Sequence, residues 1–153
     1  MTIQLGDTST RLHPSRIKLR YNWWLGAVAS KFYQEIKEKR KIWGIKCPTC
    51  KCVYVPPKKN CPKCFSEMHE WVEVSNEGFL TNYTVIHYSV PSIQPQNPPF
   101  ALGIVQLDGA DSGIVHMLGE ADLNDLQIGI RVSAVFRKSR LGNLLDIKYF
   151  KPI

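Results

Sequence analysis

A chain of 153 residues with 44% hydrophobic and 22% charged residues has the composition of one globular domain with room for a small appendage. Its longest apolar run, Trp23–Ala29, is far shorter than the roughly 18 residues that a membrane span needs. The polar start, MTIQLGDTST, has no apolar core of the signal-peptide type. We therefore expect a cytoplasmic protein that does not associate with membranes.

The net charge of +7 is concentrated towards the N-terminus. Residues 1–46 contain ten Lys or Arg and three Asp or Glu, residues 47–70 contain four and two, and residues 71–153 contain six and eight. A basic segment of this kind can bind nucleic acid, or it can be the solvated face of a helix. A surface for an acidic protein or a phosphorylated cofactor is a third interpretation.

Residues 1–20 have no clear period and are interpreted as an arm. The pattern becomes helical from Asn22, with apolar residues at the three- and four-residue spacing of an amphipathic helix: Leu25, Val28, Ala29, Phe32 and Ile36. We expect this helix to end near Gly44. Tyr21, Trp23 and Trp24 crowd its start, where they pack either on the rest of the chain or on another chain.

Strand signals dominate the second half of the chain. Trp71, Val72 and Val74 open one strand, and five more are predicted at Phe79–Val90, Ala101–Leu107, Ile114–Leu118, Ile130–Arg137 and Leu144–Phe150. Four prolines make residues 91–99 a loop, and Glu120–Leu126 suits a short helix or a turn. Five strands with a short helical element after the third fit the closed Greek-key barrel of the OB-fold, and a small open sandwich fits nearly as well.

All five cysteines lie in one stretch, KCPTCKCVYVPPKKNCPKC, at residues 46–64. Two Cys-x-x-Cys hooks, Cys47/Cys50 and Cys61/Cys64, supply the four thiolates that a tetrahedral zinc ion prefers. Cys52 is left over from this set. Because four thiolates leave no open position for water or substrate, we expect a structural zinc ion. The sequence contains no nucleophile elbow, P-loop or zinc-protease motif, so we expect no catalytic residue in this chain.

Several longer motifs agree with this order of parts. The predicted helix leads into the first hook through FYQEIKEKRKIWGIKCPTC, and the second hook lies within YVPPKKNCPKC. Three motifs follow in the second half of the chain: WVEVSNEGFLTNYTVIH, LNDLQIGIRVSAVF and YFKP. From about Asn22 to Ile153 the chain resembles a prokaryotic family of rubredoxin-like zinc-ribbon plus OB-fold proteins. Lys58 stands where the family has arginine, and Lys51 where glycine is common. We assign residues 1–44 to an arm and helix, 45–70 to the zinc ribbon and 71–153 to the barrel.

The resemblance implies a function that the residues alone do not show. Family members are accessory subunits of thiolase-fold enzymes acting on acyl-CoA thioesters, and the YNWW start is similar to that of an accessory subunit from anaerobic aromatic degradation. The resemblance therefore implies a non-catalytic subunit of a thiolase-type acyl-CoA C-acyltransferase complex, which stabilises the large subunit and helps to form its acyl-CoA site. It implies two sets of contacts: Lys58, Lys59 and Lys63 with coenzyme A, and Tyr21, Trp23, Trp24 and Phe32 with the large subunit.

Two other functions remain open on sequence grounds. A zinc ribbon with an OB barrel also suits a protein that binds single-stranded nucleic acid, which needs basic and aromatic residues on the barrel. The predicted barrel has two more acidic than basic residues, and Arg137, Lys138 and Arg140 form only one small basic cluster. The other alternative is a rubredoxin-like electron carrier, although rubredoxin has more widely separated hooks and glycines where this chain has Lys51 and Phe65.

Overall fold

The computed structural model describes residues 21–90, 94 and 96–153, so the predicted arm at residues 1–20 lies outside the described residues. Within these ranges, one helix and eight strands follow one another in the order α1 Gly26–Lys39, β1 Ile42–Lys46, β2 Val53–Tyr54, β3 Glu70–Val74, β4 Glu77–Ile86, β5 Phe100–Leu107, β6 Gly113–Leu118, β7 Arg131–Phe136 and β8 Ile147–Pro152. A single 3₁₀ turn, Leu144–Asp146, precedes β8. Nowhere in the described ranges is there a helix of the length and apolarity required to cross a membrane.

The predicted end of the helix near Gly44 is wrong. Helix α1 ends at Lys39, because Arg40 adopts a left-handed conformation with φ 57° and its N–H bonds back to the carbonyls of the last turn. Gly44 lies in β1 instead. A Cβ atom at Gly44 would stand 2.7 Å from Val53 Cγ1, so the glycine allows β2 to approach closely.

The first three strands form a small antiparallel sheet with the order β2-β1-β3. Strand β1 pairs with β3 through Gly44 and Val72 and through Ile45 and Trp71, among other pairs. The strand predicted at Trp71–Val74 therefore belongs to the sheet of the ribbon. This sheet includes residues on both sides of the boundaries predicted at 44/45 and 70/71.

The other five strands close into a barrel with the order β4-β5-β6-β8-β7, which confirms the predicted five-stranded barrel and excludes the open sandwich. The barrel closes where β6 and β8 run parallel and Leu118 pairs with Phe150. The helical alternative for Glu120–Leu126 is wrong, because this stretch forms turns. The last strand begins at Ile147, because Leu144–Asp146 is taken up by the 3₁₀ turn.

One hydrophobic core joins the helix, the ribbon sheet and the barrel. Phe32 and Ile36 of α1 pack with Ile42 of β1 and with barrel residues that include Leu80 and Phe150. A second, smaller core lies at the far end of the ribbon and contains Ile45, Met68 and two of the cysteines. The metal-ligating end of the ribbon thus depends on few buried apolar side chains, whereas the barrel end shares the main core.

Candidate functional site

The structure brings the four cysteines of the two hooks together at the end of the ribbon. The four Sγ atoms lie within 4.8 Å of one another, with 3.4 Å between Cys47 and Cys64 and 3.6 Å between Cys50 and Cys61. A tetrahedral zinc ion with Zn–S bonds of about 2.3 Å needs sulfur atoms about 3.8 Å apart. The four side chains therefore fit one zinc ion with small adjustments.

The two hooks have the same backbone geometry. The N–H of Lys51 donates to the carbonyl of Cys47 at 3.1 Å, and the N–H of Phe65 donates to the carbonyl of Cys61 at 2.9 Å. Lys51 and Phe65 both adopt left-handed conformations, with φ 63° and 61°. This region favours glycine, so each position bears local strain that the four-ligand site has to support. The tight turns are thus retained without the glycines of rubredoxin.

Cys52 occupies the position in the first hook that Ser66 occupies in the second. The carbonyl of Cys52 accepts a hydrogen bond from the N–H of Cys47, and that of Ser66 accepts one from Cys61, each at 2.9 Å. The Cys52 thiol lies 3.6 Å from the carbonyl of Cys50 and is not part of the four-sulfur group. Cys52 therefore has a place in the turn of the first hook and need not bind the metal.

Burial and hydrogen bonding act in opposite directions on the thiols. Burial raises the pKa of Cys47 to about 11. At Cys61 burial also acts to raise the pKa, but hydrogen bonds from the Tyr54 hydroxyl and from the backbone N–H groups of Cys64 and Lys63 outweigh it and lower the pKa to about 5. Since thiolates are the metal-binding form, a divalent cation is needed to hold all four sulfurs ionised in this small volume.

The turn between β5 and β6 binds the ribbon to the barrel. The N–H of Asp111 donates to the carbonyl of Val53, and the N–H of Val53 donates to Oδ2 of Asp111, both at 2.8 Å. The Ser112 hydroxyl accepts from the N–H of Val55 at 2.7 Å and donates to its carbonyl at 3.0 Å. The turn thereby satisfies the free edge of β2, which leads directly from the first hook.

The aromatic segment, residues 21–24, precedes α1 and is exposed. Tyr21, Trp23 and Trp24 are all largely accessible, and Trp24 is 87% exposed. The fourth residue expected to contact a partner, Phe32, is 1% exposed and packs within the main core. The expectation for Phe32 is therefore wrong, because the same helical spacing that places it on the apolar face of α1 turns it inward.

The three lysines expected to contact coenzyme A are exposed on the ribbon. Lys58 and Lys59 precede the second hook, and Lys63 lies within it. Lys59 Nζ is 3.5 Å from a carboxylate oxygen of Glu67, and both side chains face solvent. Their contact with coenzyme A stays a prediction.

Three further residues contribute to the site but are not among those predicted from the sequence: Tyr54, Asp111 and Ser112. The hydroxyl of Tyr54 lies 3.5 Å from Cys61 Sγ, and the available signal was its position two residues after Cys52, close to the hook. In the sequence, Asp111 and Ser112 are residues of the turn signal DGADSG. Nothing in that local pattern indicates a bond to a strand almost 60 residues earlier.

Comparison with known proteins identifies the same zinc ribbon and the same barrel. The family model described as "ChsH2, rubredoxin-like zinc ribbon domain" matches residues 35–70, and "ChsH2, C-terminal OB-fold domain" matches residues 71–137. A DUF35 domain-containing scaffold protein of Methanocaldococcus jannaschii is 31% identical over 126 residues, which cover 79% of this chain and 88% of that protein. The chain belongs to the ChsH2/DUF35 family. The predicted family resemblance is thus confirmed.

Two solved structures share the fold of this ChsH2/DUF35 protein. One is a chain of the "Ltp2-ChsH2(DUF35) aldolase", with a TM-score of 0.57 and 22% identity, covering 80% of this chain and 93% of that one. The other is a DUF35-family protein of unknown function from Sulfolobus solfataricus, with a TM-score of 0.58 and 22% identity, covering 72% and 78%. At this level of identity the similarity shows the fold.

Proposed function

We propose that this chain is a non-catalytic accessory subunit of a thiolase-type complex acting on acyl-CoA thioesters. It would stabilise a thiolase-fold large subunit and help to form that subunit's acyl-CoA site. The observation that carries the proposal is the exposed aromatic segment at residues 21–24. Large aromatic side chains are enriched at the centres of protein interfaces, where a few of them supply most of the binding energy.

The relatives support a scaffolding role. The relative from Methanocaldococcus jannaschii is named a scaffold protein, and the aldolase structure is named for Ltp2 together with ChsH2(DUF35). A chain with the same zinc ribbon and barrel is suited to the same kind of assembly. We extend this to a thiolase-fold partner because the sequence motifs resemble those of thiolase accessory subunits.

Zinc has a structural part in this proposal. Cys47, Cys50, Cys61 and Cys64 would hold the ion, whose chemical contribution is to neutralise four thiolates and tie the two hooks together. The hydrogen bonds that Asp111 and Ser112 of the β5–β6 turn form with the segment after the first hook would then hold the zinc-bound ribbon against the barrel. Lys58, Lys59 and Lys63 are proposed to face the phosphates of coenzyme A bound by the complex.

The composition of the barrel favours this function over binding of single-stranded nucleic acid. Strands β5 and β6 contain no Lys or Arg, and the aromatic residue Phe100 is buried. A binder of single strands needs a basic groove with exposed aromatic side chains on which bases stack. The exposed side chains on these strands are uncharged instead, and they include the aliphatic Ile104 and Val115.

Purification of the tagged chain from its native host after nuclease treatment tests the proposal. We expect a thiolase-fold subunit in near-stoichiometric amount, identified by mass spectrometry. Replacing Trp23 and Trp24 together by alanine should lower its recovery about tenfold or more, since interface aromatics commonly dominate binding. Tyr88→Ala removes another exposed aromatic and should leave recovery unchanged. Recovery of nucleic-acid-processing proteins in place of a thiolase-fold subunit would refute the proposal.

A further inference from the structure

The outer face of the barrel carries an aliphatic patch on two neighbouring strands. Leu102 of β5 pairs with Met117 of β6, and Ile104 pairs with Val115. Because side chains alternate across a strand, these four point away from the barrel interior, which is filled by residues such as Val105 and Ile114. Val115 is 59% exposed. Such a patch is unusual on a protein surface that meets only water.

The patch continues towards the aromatic segment through three adjoining depressions. Leu102 and Val115 share the first with Leu145 of the 3₁₀ turn, Leu145 shares the second with Leu141, and Leu141 shares the third with Leu25. Leu25 directly follows the aromatic segment. We refer to the exposed members of this surface as the apolar strip: Leu25, Ile104, Val115, Leu141 and Leu145.

The loop that carries two members of the strip has a defined conformation. The buried carboxylate of Asp146 accepts hydrogen bonds from the N–H groups of Leu141 at 2.8 Å, Gly142 at 2.7 Å and Asn143 at 3.3 Å. Leu141 and Leu145 are therefore presented on an ordered backbone. Preorganisation of this kind lowers the entropy lost when a partner binds.

The charged groups beside the strip are mainly basic. Arg137 donates from Nε to a carbonyl of the 3₁₀ turn at 2.7 Å, and Arg140 donates to a carbonyl of α1 at 2.6 Å, so both stay close to the strip. Lys37 lines the depression next to Leu25. Glu38 also lies there, but its carboxylate accepts a hydrogen bond within α1 at 3.0 Å. An apolar partner surface bordered by acidic side chains would complement this arrangement.

The shape of the strip favours a protein over a small molecule. The four depressions along the strip have volumes of 260 Å³ over the β5–β6 patch, 180 Å³ beside Leu145, 330 Å³ between Leu145 and Leu141, and 350 Å³ between Leu141 and Leu25. Pockets for small ligands usually measure about 300–1,000 Å³ and enclose most of the ligand. All four depressions are open, and none exceeds the lower end of this range by more than about 50 Å³. Here Val115 and Leu145 stand largely in solvent, so a flat, extended partner surface fits better than an enclosed ligand.

We infer that the apolar strip is a second docking surface for the thiolase-fold large subunit, continuous with the aromatic segment. The large subunit would cover the strip with an apolar area edged by acidic residues. This inference rests on the proposed function, because it assigns the strip to the same partner. It goes further in placing the barrel itself in the interface.

Binding measurements with the large subunit test the inference. The probe is the thiolase-fold subunit that co-purifies with the wild-type chain, produced separately, and the readout is the Kd by calorimetry. Val115→Glu should raise the Kd about tenfold or more, as expected for a charge placed in an apolar interface. Val115→Thr, which keeps the shape, should stay within about threefold. Ile153→Glu, at a 61% exposed position that directly follows β8, is the matched control and should not change the Kd.

A second variant guards against loss of folding. If Val115→Glu lowers the thermal stability or the zinc content, Leu141→Glu takes its place, because Leu141 is 78% exposed and lies in a loop. It should weaken binding about fivefold or more.

Three outcomes would overturn the inference. If the wild type binds but the folded glutamate variants bind equally well, the strip is not an interface, while the proposed function stands. If the glutamate variants instead abolish self-association of the isolated chain, measured by light scattering, the strip is covered by a second copy. If the wild type binds no thiolase-fold subunit, the proposed function fails and the inference fails with it.

Discussion

Replacing Ser112 by alanine should loosen the attachment of the metal-binding ribbon to the barrel. The Ser112 hydroxyl bonds both the N–H and the carbonyl of Val55, a buried residue of the segment that follows the first hook. Alanine removes both bonds and supplies no replacement. The effect should therefore appear in the stability of the whole chain and in the retention of zinc.

The expected loss follows from these two bonds. A buried backbone group left without a partner costs about 1–3 kcal/mol. Ser112 serves two such groups, but its side chain is half-buried, so water can reach one of them. We therefore expect the free energy of unfolding to fall by about 1–3 kcal/mol.

Urea denaturation of the zinc-loaded protein, followed by tryptophan fluorescence, measures this loss. Transfer of zinc to a chromogenic chelator should also become faster, because β2 would separate more readily from the turn. Ser139→Ala, at an exposed position, is the control and should change the stability by less than about 0.5 kcal/mol. If Ser112→Ala behaves like this control in both assays, the turn does not couple the ribbon to the barrel.

Three further predictions concern the metal, the barrel and the helix. Cys61→Ser should reduce bound zinc, measured by elemental analysis, from one equivalent to a small fraction, whereas Cys52→Ser should retain it; equal loss in both would contradict the assignment of ligands. Burial lowers the pKa of His116 below its ordinary value, so the fold favours the neutral imidazole. Its contribution to stability is complete above the unfolded pKa of about 6.5 and declines as pH falls below it; His116→Asn should flatten that part of a plot of unfolding free energy against pH, and an unchanged slope would refute this cause. Phe32→Ala should lower the free energy of unfolding, measured by urea denaturation, by about 3–5 kcal/mol, whereas Trp24→Ala should lower it by less than about 0.5 kcal/mol while weakening partner capture. A larger loss of stability for Trp24→Ala than for Phe32→Ala would contradict the assignment of Phe32 to the core and of Trp24 to the interface.

The barrel and the grouping of the four cysteines could be predicted because their signals are local. Alternating β-branched and aromatic residues mark each strand within a few positions, and Cys-x-x-Cys puts two sulfurs on one turn. The end of α1 could not be predicted from the local sequence. Gly44 has the sequence signature of a helix stop, but its missing Cβ serves the approach of β2, which only the tertiary structure reveals.

The contacts that organise the site join distant parts of the chain. Val53 and Asp111 meet across 58 positions, and neither local sequence contains a signal for the other. The apolar strip likewise combines the residue before α1, two barrel strands and the segment before β8. The burial of Phe32 could not be predicted from residue type, because it is an aromatic residue close in sequence to the exposed Trp23 and Trp24 and yet lies in the core.

Native mass spectrometry of the complex purified from the source organism tests whether this chain is a zinc-dependent subunit of a thiolase-type assembly. We expect an assembly that contains this chain with one zinc ion and a thiolase-fold subunit, and we expect zinc chelation to release that subunit. An intact assembly after complete removal of zinc would contradict the structural role of the metal. A chain recovered alone, with iron, or with nucleic acid would contradict the proposed function.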